Sequence, residues 1–331
     1  LAVQGKHDPL EAWKAKIPIP PNVHVCPTDA VERVPLVVDG EEVAAIYGQS
    51  YAKSEQRDNL AWKFNRAAGD RFSIGMLHTQ VGSRDSTYAP CTLEDLKECG
   101  MDYWALGHIH KHEILCEKPY VVYAGNPQGL DCTETGPRGC YYVEVGPYGT
   151  TDLEFIDTSI VRWESIDLAI DGIESVSELR ESVRFAKEKV RRDIGKPTFL
   201  TVNFTGSGSM YHVLNNPEAT QYWLESWREE EQGKYAFVMV DRLRNLARPK
   251  MNMDERSKLP DSVGDYLNVF DKLEKLAPEE RVKALRDILM SRPEFERLGA
   301  YGRALTDQRL LETFEKAKWL GVQKLLEHRR G

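Results

Sequence analysis

Four of the eight histidines in this chain fall within 35 residues: His78, His108, His110 and His112. His78 closes an apolar run, Gly75-Met76-Leu77-His78-Thr79, and His108 and His110 directly follow another, in Ala105-Leu106-Gly107-His108-Ile109-His110. A fifth, His7, stands in Gly5-Lys6-His7-Asp8, beside the one carboxylate able to orient it. Imidazoles at the ends of adjacent strands can converge on a metal ion from one edge of a sheet. The residue between His108 and His110 faces the opposite way, because strand side chains alternate. Each piece alone is an ordinary loop histidine; the combination is specific. His24, His112, His212 and His328 lack such surroundings and are read as plain surface residues.

The elements that must position these histidines are short. Glu42–Tyr47, Phe72–Leu77, Tyr103–Leu106 and Tyr120–Tyr123 are apolar runs of the kind buried strands show. Arg138–Val145 and Thr151–Ile156 form a hairpin around Gly146-Pro147-Tyr148-Gly149, and Thr92–Cys99 is a short helix with Thr92 as its N-cap. Residues 1–160 are therefore a mixed α/β domain whose polar residues gather in loops at strand ends, where sites are usually built. A second domain, 161–252, reads as strand Glu164–Ile170, helix Val176–Arg192, strand Thr198–Thr205, helix Pro217–Glu231 and strand Tyr235–Leu243, a small α+β unit. In its first helix Val176, Leu179, Val183, Ala186 and Val190 are spaced for one buried face. One residue on, Arg180, Arg184, Lys187 and Arg191 make a stripe of positive charge. Arg242, Arg244, Arg248 and Lys250 form a second basic cluster.

Residues 253–331 are helical, over Val263–Leu276, Pro278–Met290, a piece near Pro293–Leu298, and Asp307–His328. In the last helix Leu310, Phe314, Ala317, Gly321 and Leu325 make one apolar face, widened by Leu311, Val322 and Leu326. Such a face either packs on its own domain or docks a partner.

Composition narrows the classes. With 331 residues, 41% apolar and 29% charged, the chain is an ordinary globular protein of two or three domains. No apolar run approaches the ~20 residues that cross a bilayer, and the N-terminus has no signal-peptide pattern. Six cysteines without a Cys-x-x-Cys pair read as reduced, structural thiols, and the expected location is the cytoplasm. A net charge of −8 argues against a generally basic nucleic-acid coat, though not against a local basic patch.

Gly5-Lys6-His7-Asp8, Leu77-His78-Thr79 and Gly107-His108-Ile109-His110 resemble the last three motifs of the calcineurin-like metallophosphoesterases. Ile17–Val25, Tyr47–Ala52, Tyr88–Leu93, Asp102–His110 and Tyr123–Gly129 narrow the resemblance to the YhaO branch of the SbcD-type DNA-repair nucleases. The resemblance covers essentially the whole chain. It implies an α+β protein built as a four-layer α/β/β/α sandwich, N-terminally incomplete, with a small α+β cap domain that binds DNA and a helical C-terminal region that binds a partner. It also implies two divalent metal ions, most often Mn2+ with Fe as the alternative. His78 and His108 would ligate the second metal together with the residue at position 6, and His110 the first. His7, held by Asp8, would orient or protonate the scissile phosphate. Asn126 and Gln128, in the loop after a strand, would line the active-site edge. Arg180, Arg184, Lys187 and Arg191 would contact DNA phosphates without reading bases. The implied partners are DNA and an SMC-like coiled-coil ATPase subunit, within a homodimer and away from any membrane.

The sequence departs from that family in two places. Neither Asp-x-His nor Gly-Asp-x-x-Asp occurs; Gly69-Asp70 and Gly264-Asp265 are the only Gly-Asp pairs. The expectation is therefore a missing N-terminal segment of two βα units, roughly 60–80 residues at 30-plus residues each, rather than a naturally short form. Second, Lys6 stands where the family has Asn. An ammonium ~4 Å from a metal ion opposes its binding by several kcal/mol at an effective dielectric near 20, and a charged lysine has no lone pair to offer. Pointing inward, Lys6 would disfavour the second metal or stand in for it; pointing outward, it would leave a weak mononuclear site. The leading expectation is a manganese-dependent DNA phosphodiesterase, the nuclease subunit of a repair complex. The alternative is a catalytically silent scaffold that keeps the fold.

Overall fold

The structure is a computed structural model that describes residues 1–9, 19–83, 85–149, 151–251, 253–296 and 305–327. His328 and the opening of the Ile17–Val25 segment lie outside the described residues. The chain divides into two compact units, Leu1–Ile166 with Arg184–Asn203 and Tyr222–Arg244, and Asp167–Val183 with Phe204–Gln221 and Asn245–Gly331.

In the first unit, strands β1 (Glu32–Val38), β2 (Glu41–Gln49), β3 (Ser73–His78), β4 (Tyr103–Gly107), β5 (Glu113–Glu117) and β6 (Tyr120–Tyr123) form one sheet in the order β1-β2-β3-β4-β6-β5. The four central strands are parallel, and β1 and β5 close the edges antiparallel. Alternation sends Ala45, Tyr47, Leu77, Trp104, Leu106, Val121 and Tyr123 to one face, against Phe64, the 3-10 turn Leu60–Lys63 and Leu96 of helix α1 (Leu93–Glu98). Ala44, Ile74, Tyr103, Ala105 and Val122 face the other way, onto Tyr141, Val143 and Leu153 of the hairpin β7 (Gly139–Val145) and β8 (Thr151–Asp157). Covered on both sides, the central strands read as unbroken apolar runs, which is why they are legible in the sequence. Thr92 caps α1 as expected, through a reciprocal box with Asp95 (3.1 and 2.8 Å).

Two edge strands escape the apolar-run criterion. β1 carries Pro35 and exposes Leu36, Val37 and Val38. Its signal lies in the next turn, Asp39-Gly40, where both residues have positive φ (51° and 83°), as a two-residue hairpin loop requires. β5 is half exposed along its length.

The middle of the chain follows the expected order: β9 (Arg162–Ala169), α2 (Val176–Ile194), β10 (Thr198–Thr205), β11 (Ser207–Gly208), α3 (Tyr211–Leu214), α4 (Pro217–Glu229), β12 (Val238–Asn245) and β13 (Arg248–Pro249). Its three long strands pair in the order β12-β10-β9. The helices that follow are α5 (Met253–Arg256), α6 (Ser262–Glu274), α7 (Pro278–Met290), α8 (Pro293–Glu296) and α9 (Asp307–Glu327). The apolar face of α9 is consumed inside its own unit. Leu310 and Phe314 are buried with Phe270 and Leu285, Val322 with Val263 and Leu267, and Tyr266 donates its hydroxyl to the Ala317 carbonyl at 2.8 Å. Of the two uses that such a face can have, this one is self-packing. Among the described residues no helix is long and apolar enough to cross a membrane.

Candidate functional site at the sheet edge

All four parallel strands end at the same edge, the side on which open α/β sheets bind ligands. Register aligns the ends: Gln49 beside Leu77, His78 beside Gly107, and Leu106 beside Tyr123. The N-terminal segment is stitched to the same edge, with the Tyr51 N–H donating to the Gln4 carbonyl (3.0 Å) and the Gln4 N–H to Ser50 Oγ (3.1 Å).

His78 is wedged between two glycines. A Cβ on Gly5 would lie 2.3 Å from His78 Nδ1, and one on Gly107 would lie 3.2 Å from it. Only residues without a side chain let the N-terminal turn and the end of β4 close on the ring. The aromatic contacts run on from there. Tyr51 meets His78 edge-on at 5.2 Å, His78 meets His108 edge-on at 5.3 Å, and Tyr88 lies 4.9 Å from the His108 ring. The Lys6 ammonium sits 4.7 Å from the centre of the Tyr88 ring. His108 has a positive φ of 109°, unusual for a side-chain-bearing residue and of the strained kind that gathers at functional sites.

Burial, followed by the positive charges around them, pushes both imidazoles down to about 4, so both are neutral near pH 7. For His78 those neighbours are His108, Lys6, His7 and His110, and for His108 they are Lys6, His110 and His7. His78 Nε2 and His108 Nδ1 are buried without a hydrogen-bond partner. Nearly all buried polar atoms are paired in native proteins, so two orphans on touching rings mark a place where a ligand atom belongs.

His110 is held differently. Its Nδ1 is 2.5 Å from Glu134 Oε1, and Glu134 Oε2 accepts from Asn126 Nδ2 and from the Leu130 N–H, both at 2.8 Å. Burial alone would raise the Glu134 carboxyl, but the bonds from His110, Leu130 and Asn126 outweigh it and hold the group below its ordinary range. The buried Arg138 guanidinium donates to the His110 carbonyl and reaches Asn126 Oδ1 at 3.3 Å. A carboxylate on one imidazole nitrogen is the usual device for aiming the other at a metal.

The sequence-derived residues therefore divide. His78 and His108 touch, and His110 is positioned nearby in sequence by Glu134. His7 and Asp8 are exposed, and Asp8 Oδ1 accepts from the Gly5 N–H (2.8 Å), closing the turn that abuts His78. Asn126 supports Glu134 in place of lining the edge. The Gln128 amide braces its loop: it bonds the Val161 and Gly129 carbonyls (2.7 and 2.9 Å) and the Ile160 and Val161 N–H groups (2.9 and 3.2 Å). The basic stripe lies partly inside the fold. Lys187 is only 2% exposed and pairs with Glu231 at 2.9 Å, and Arg191 pairs with Glu231 and Glu188. Arg180 is half-buried and Arg184 exposed on the same helix. In the second basic cluster Lys250 pairs with Glu174 at 2.9 Å and Arg248 stacks on Trp319 at 4.8 Å, while Arg242 and Arg244 are exposed. Sequence reasoning missed Tyr51, Tyr88, Glu134 and Arg138, since a lone tyrosine or glutamate in a loop carries no pattern.

Whether these residues fit a metal centre can be asked directly. The two orphan nitrogens are neutral imidazole donors, the right chemistry for Mn, Fe or Zn. Among the described residues, however, no three His, Cys, Asp or Glu side chains come together as a metal cage. The donor set fits part of a metal site and does not by itself complete a two-metal centre.

A parallel sheet with a histidine-lined C-terminal edge is the arrangement of a metallophosphoesterase, and comparison with known proteins agrees. Residues 163–248 match the family model for the middle domain of metallophosphoesterase YhaO, a range that falls inside the 161–252 segment read as a separate domain. The chain is also 33% identical over 253 residues to the metallophosphoesterase YhaO of Bacillus subtilis, across 75% of this chain and 61% of that protein. Together these likenesses support a metallophosphoesterase of YhaO type. It spans about three fifths of the length of the curated relative it matches.

Proposed function

We propose that this chain is the core of a metal-dependent phosphodiesterase that cleaves DNA, in a four-layer sandwich with the middle segment as its cap. The observation that carries the reading is the pair of buried, unpartnered nitrogens on His78 and His108 at the C-terminal edge of a parallel sheet. A metal ion bound there would polarise the phosphate and lower the pKa of a bound water. His78 and His108 would hold it, presenting lone pairs because burial keeps them neutral. Glu134 fixes the His110 ring through its Nδ1, and the reading gives the second nitrogen to a metal. His7, exposed on the neighbouring turn, is free to hand a proton to a leaving alkoxide. Tyr51 packs edge-on against His78 and Tyr88 lies tilted against His108, so that an aromatic ring flanks each imidazole.

Support for DNA as substrate is the family resemblance together with the exposed cations Arg242 and Arg244. Lys187 and Arg191 contribute nothing to it, since their charges are neutralised internally. A coiled-coil ATPase partner and a homodimer follow from the resemblance alone, and the α9 face that could have docked one is occupied. The test is manganese-dependent cleavage of end-labelled DNA, with His108→Ala as control. Cleavage by the wild type that is lost in the variant supports the reading. Absence of cleavage in both favours the silent scaffold.

A further inference from the structure

The Gly5-Lys6 turn is pressed so closely on His78 that residue 6 leaves the backbone at the mouth of the histidine pair. Lys6 is half-buried, and its ammonium lies over Tyr88, whose ring in turn lies on His108. Among the described residues Lys6 has no carboxylate partner; its ammonium rests on the face of an aromatic ring. The His78–His108–Lys6 group thus brings together one lysine and two imidazole rings with two orphan nitrogens, and among the described residues no carboxylate is bonded to the lysine. A pair of divalent cations needs the reverse: anionic or neutral oxygen ligands and no ammonium. An ammonium with three donors and no partner suits an oxyanion.

We infer that Lys6 is the phosphate anchor of this site, supplying by its ammonium the positive charge that a second metal ion would bring, so that the site takes one metal ion at most. The inference rests on the phosphodiesterase reading for the identity of the anion and goes beyond it in assigning Lys6 a role. It makes Lys6 a substrate-binding group acting on a non-bridging phosphate oxygen, with Tyr88 setting the direction of its side chain.

Inorganic phosphate is the probe. The full chain is titrated with phosphate in the presence of EDTA, by calorimetry or 31P NMR, as wild type, Lys6→Met and Lys6→Arg. The expected result is binding by the wild type, at least tenfold weaker binding by Lys6→Met, and recovery to within threefold by Lys6→Arg. Counting Mn2+ per chain by equilibrium dialysis and by the electron-paramagnetic-resonance spectrum is expected to give one uncoupled ion. Phosphate binding that is absent from the wild type or unchanged in Lys6→Met overturns the inference, as does a spin-coupled pair of Mn2+ ions in the wild type. The titration contains neither metal nor DNA, so the two readings fail separately. A chain that binds phosphate through Lys6 and leaves DNA intact loses the DNA assignment and keeps the anchor.

Discussion

Two of the places where this molecule buries polar side chains together are built on opposite terms. In the middle segment Glu231, 2% exposed, accepts from Lys187 (2.9 Å), Arg191, Lys234 (3.1 Å) and the Val238 N–H (2.9 Å). Both of its oxygens are bonded more than once. At the sheet edge His78 and His108 are packed as closely, but each keeps an unpartnered nitrogen, and His108 has an unusual backbone φ as well. Buried charge is tolerated where it is paired and hydrogen-bonded, and incomplete satisfaction is kept only where something else completes it. The first cluster completes its own bonding from within the fold, and the second leaves two nitrogens for something outside it.

The largest effect expected from breaking this contrast is at Glu231. Glu231→Gln leaves the buried Lys187 ammonium with a neutral amide and the more distant Glu230 carboxylate at 3.7 Å, and removing one partner of a buried pair costs about 3–5 kcal/mol. Urea denaturation should show that loss, and a change below about 1 kcal/mol would mean that Lys187 finds another anion. The same carboxyl predicts an acid limb. Burial would raise it, but the bonds from Lys187, Val238, Arg191 and Lys234 bring it down to about 2. A carboxyl that is lower in the folded state than its ordinary value near 4.5 stabilises fully above about pH 4.5 and progressively less as the pH falls toward 2. The group's share is on the order of 3 kcal/mol. Wild type should lose stability across that window, and Glu231→Gln should lose less of it.

The sheet edge should respond in binding more than in stability. Glu134→Gln weakens the aim of His110 and should reduce Mn2+ affinity about 10–100-fold with little change in the melting temperature. The last stability change has the opposite sign to that at Glu231. Glycine adopts a positive φ without strain, so His108→Gly should raise stability by about 1 kcal/mol, the net of strain relief and a freer unfolded chain, while abolishing metal binding. A destabilised His108→Gly would show that the His108 backbone is not strained, and the contrast between the two clusters would lose one of its supports.

How much of this was legible in the sequence follows from the same physics. The central strands and the long helices were readable because burial on two faces or on one stripe writes a period into the residue types. Edge strand β1 was not, since its apolar residues are exposed and its clue was the Asp39-Gly40 turn. His78, His108 and His110 were readable from strand-end spacing, but their supports were not. Glu134 comes 24 residues after His110, and nothing in its neighbourhood announces that it will fold back. The basic stripe misled because a helical period cannot distinguish a solvated cation from one facing a buried glutamate. Lys187 lies three residues before Val190 and four after Val183, both buried, so its position is a core position.

The wedging of His78 between Gly5 and Gly107 has a further consequence for how the protein reaches its working state. Three stretches of chain, more than 100 residues apart at the extremes, must arrive before the ring is held. Local folding of β3 or β4 alone leaves it loose, and the closing of so long a loop belongs to the slow, non-local part of assembly. Ligand affinity at this edge is therefore a clock for the completion of the first unit: a nascent or partly unfolded chain has helices and strands to show, but no site.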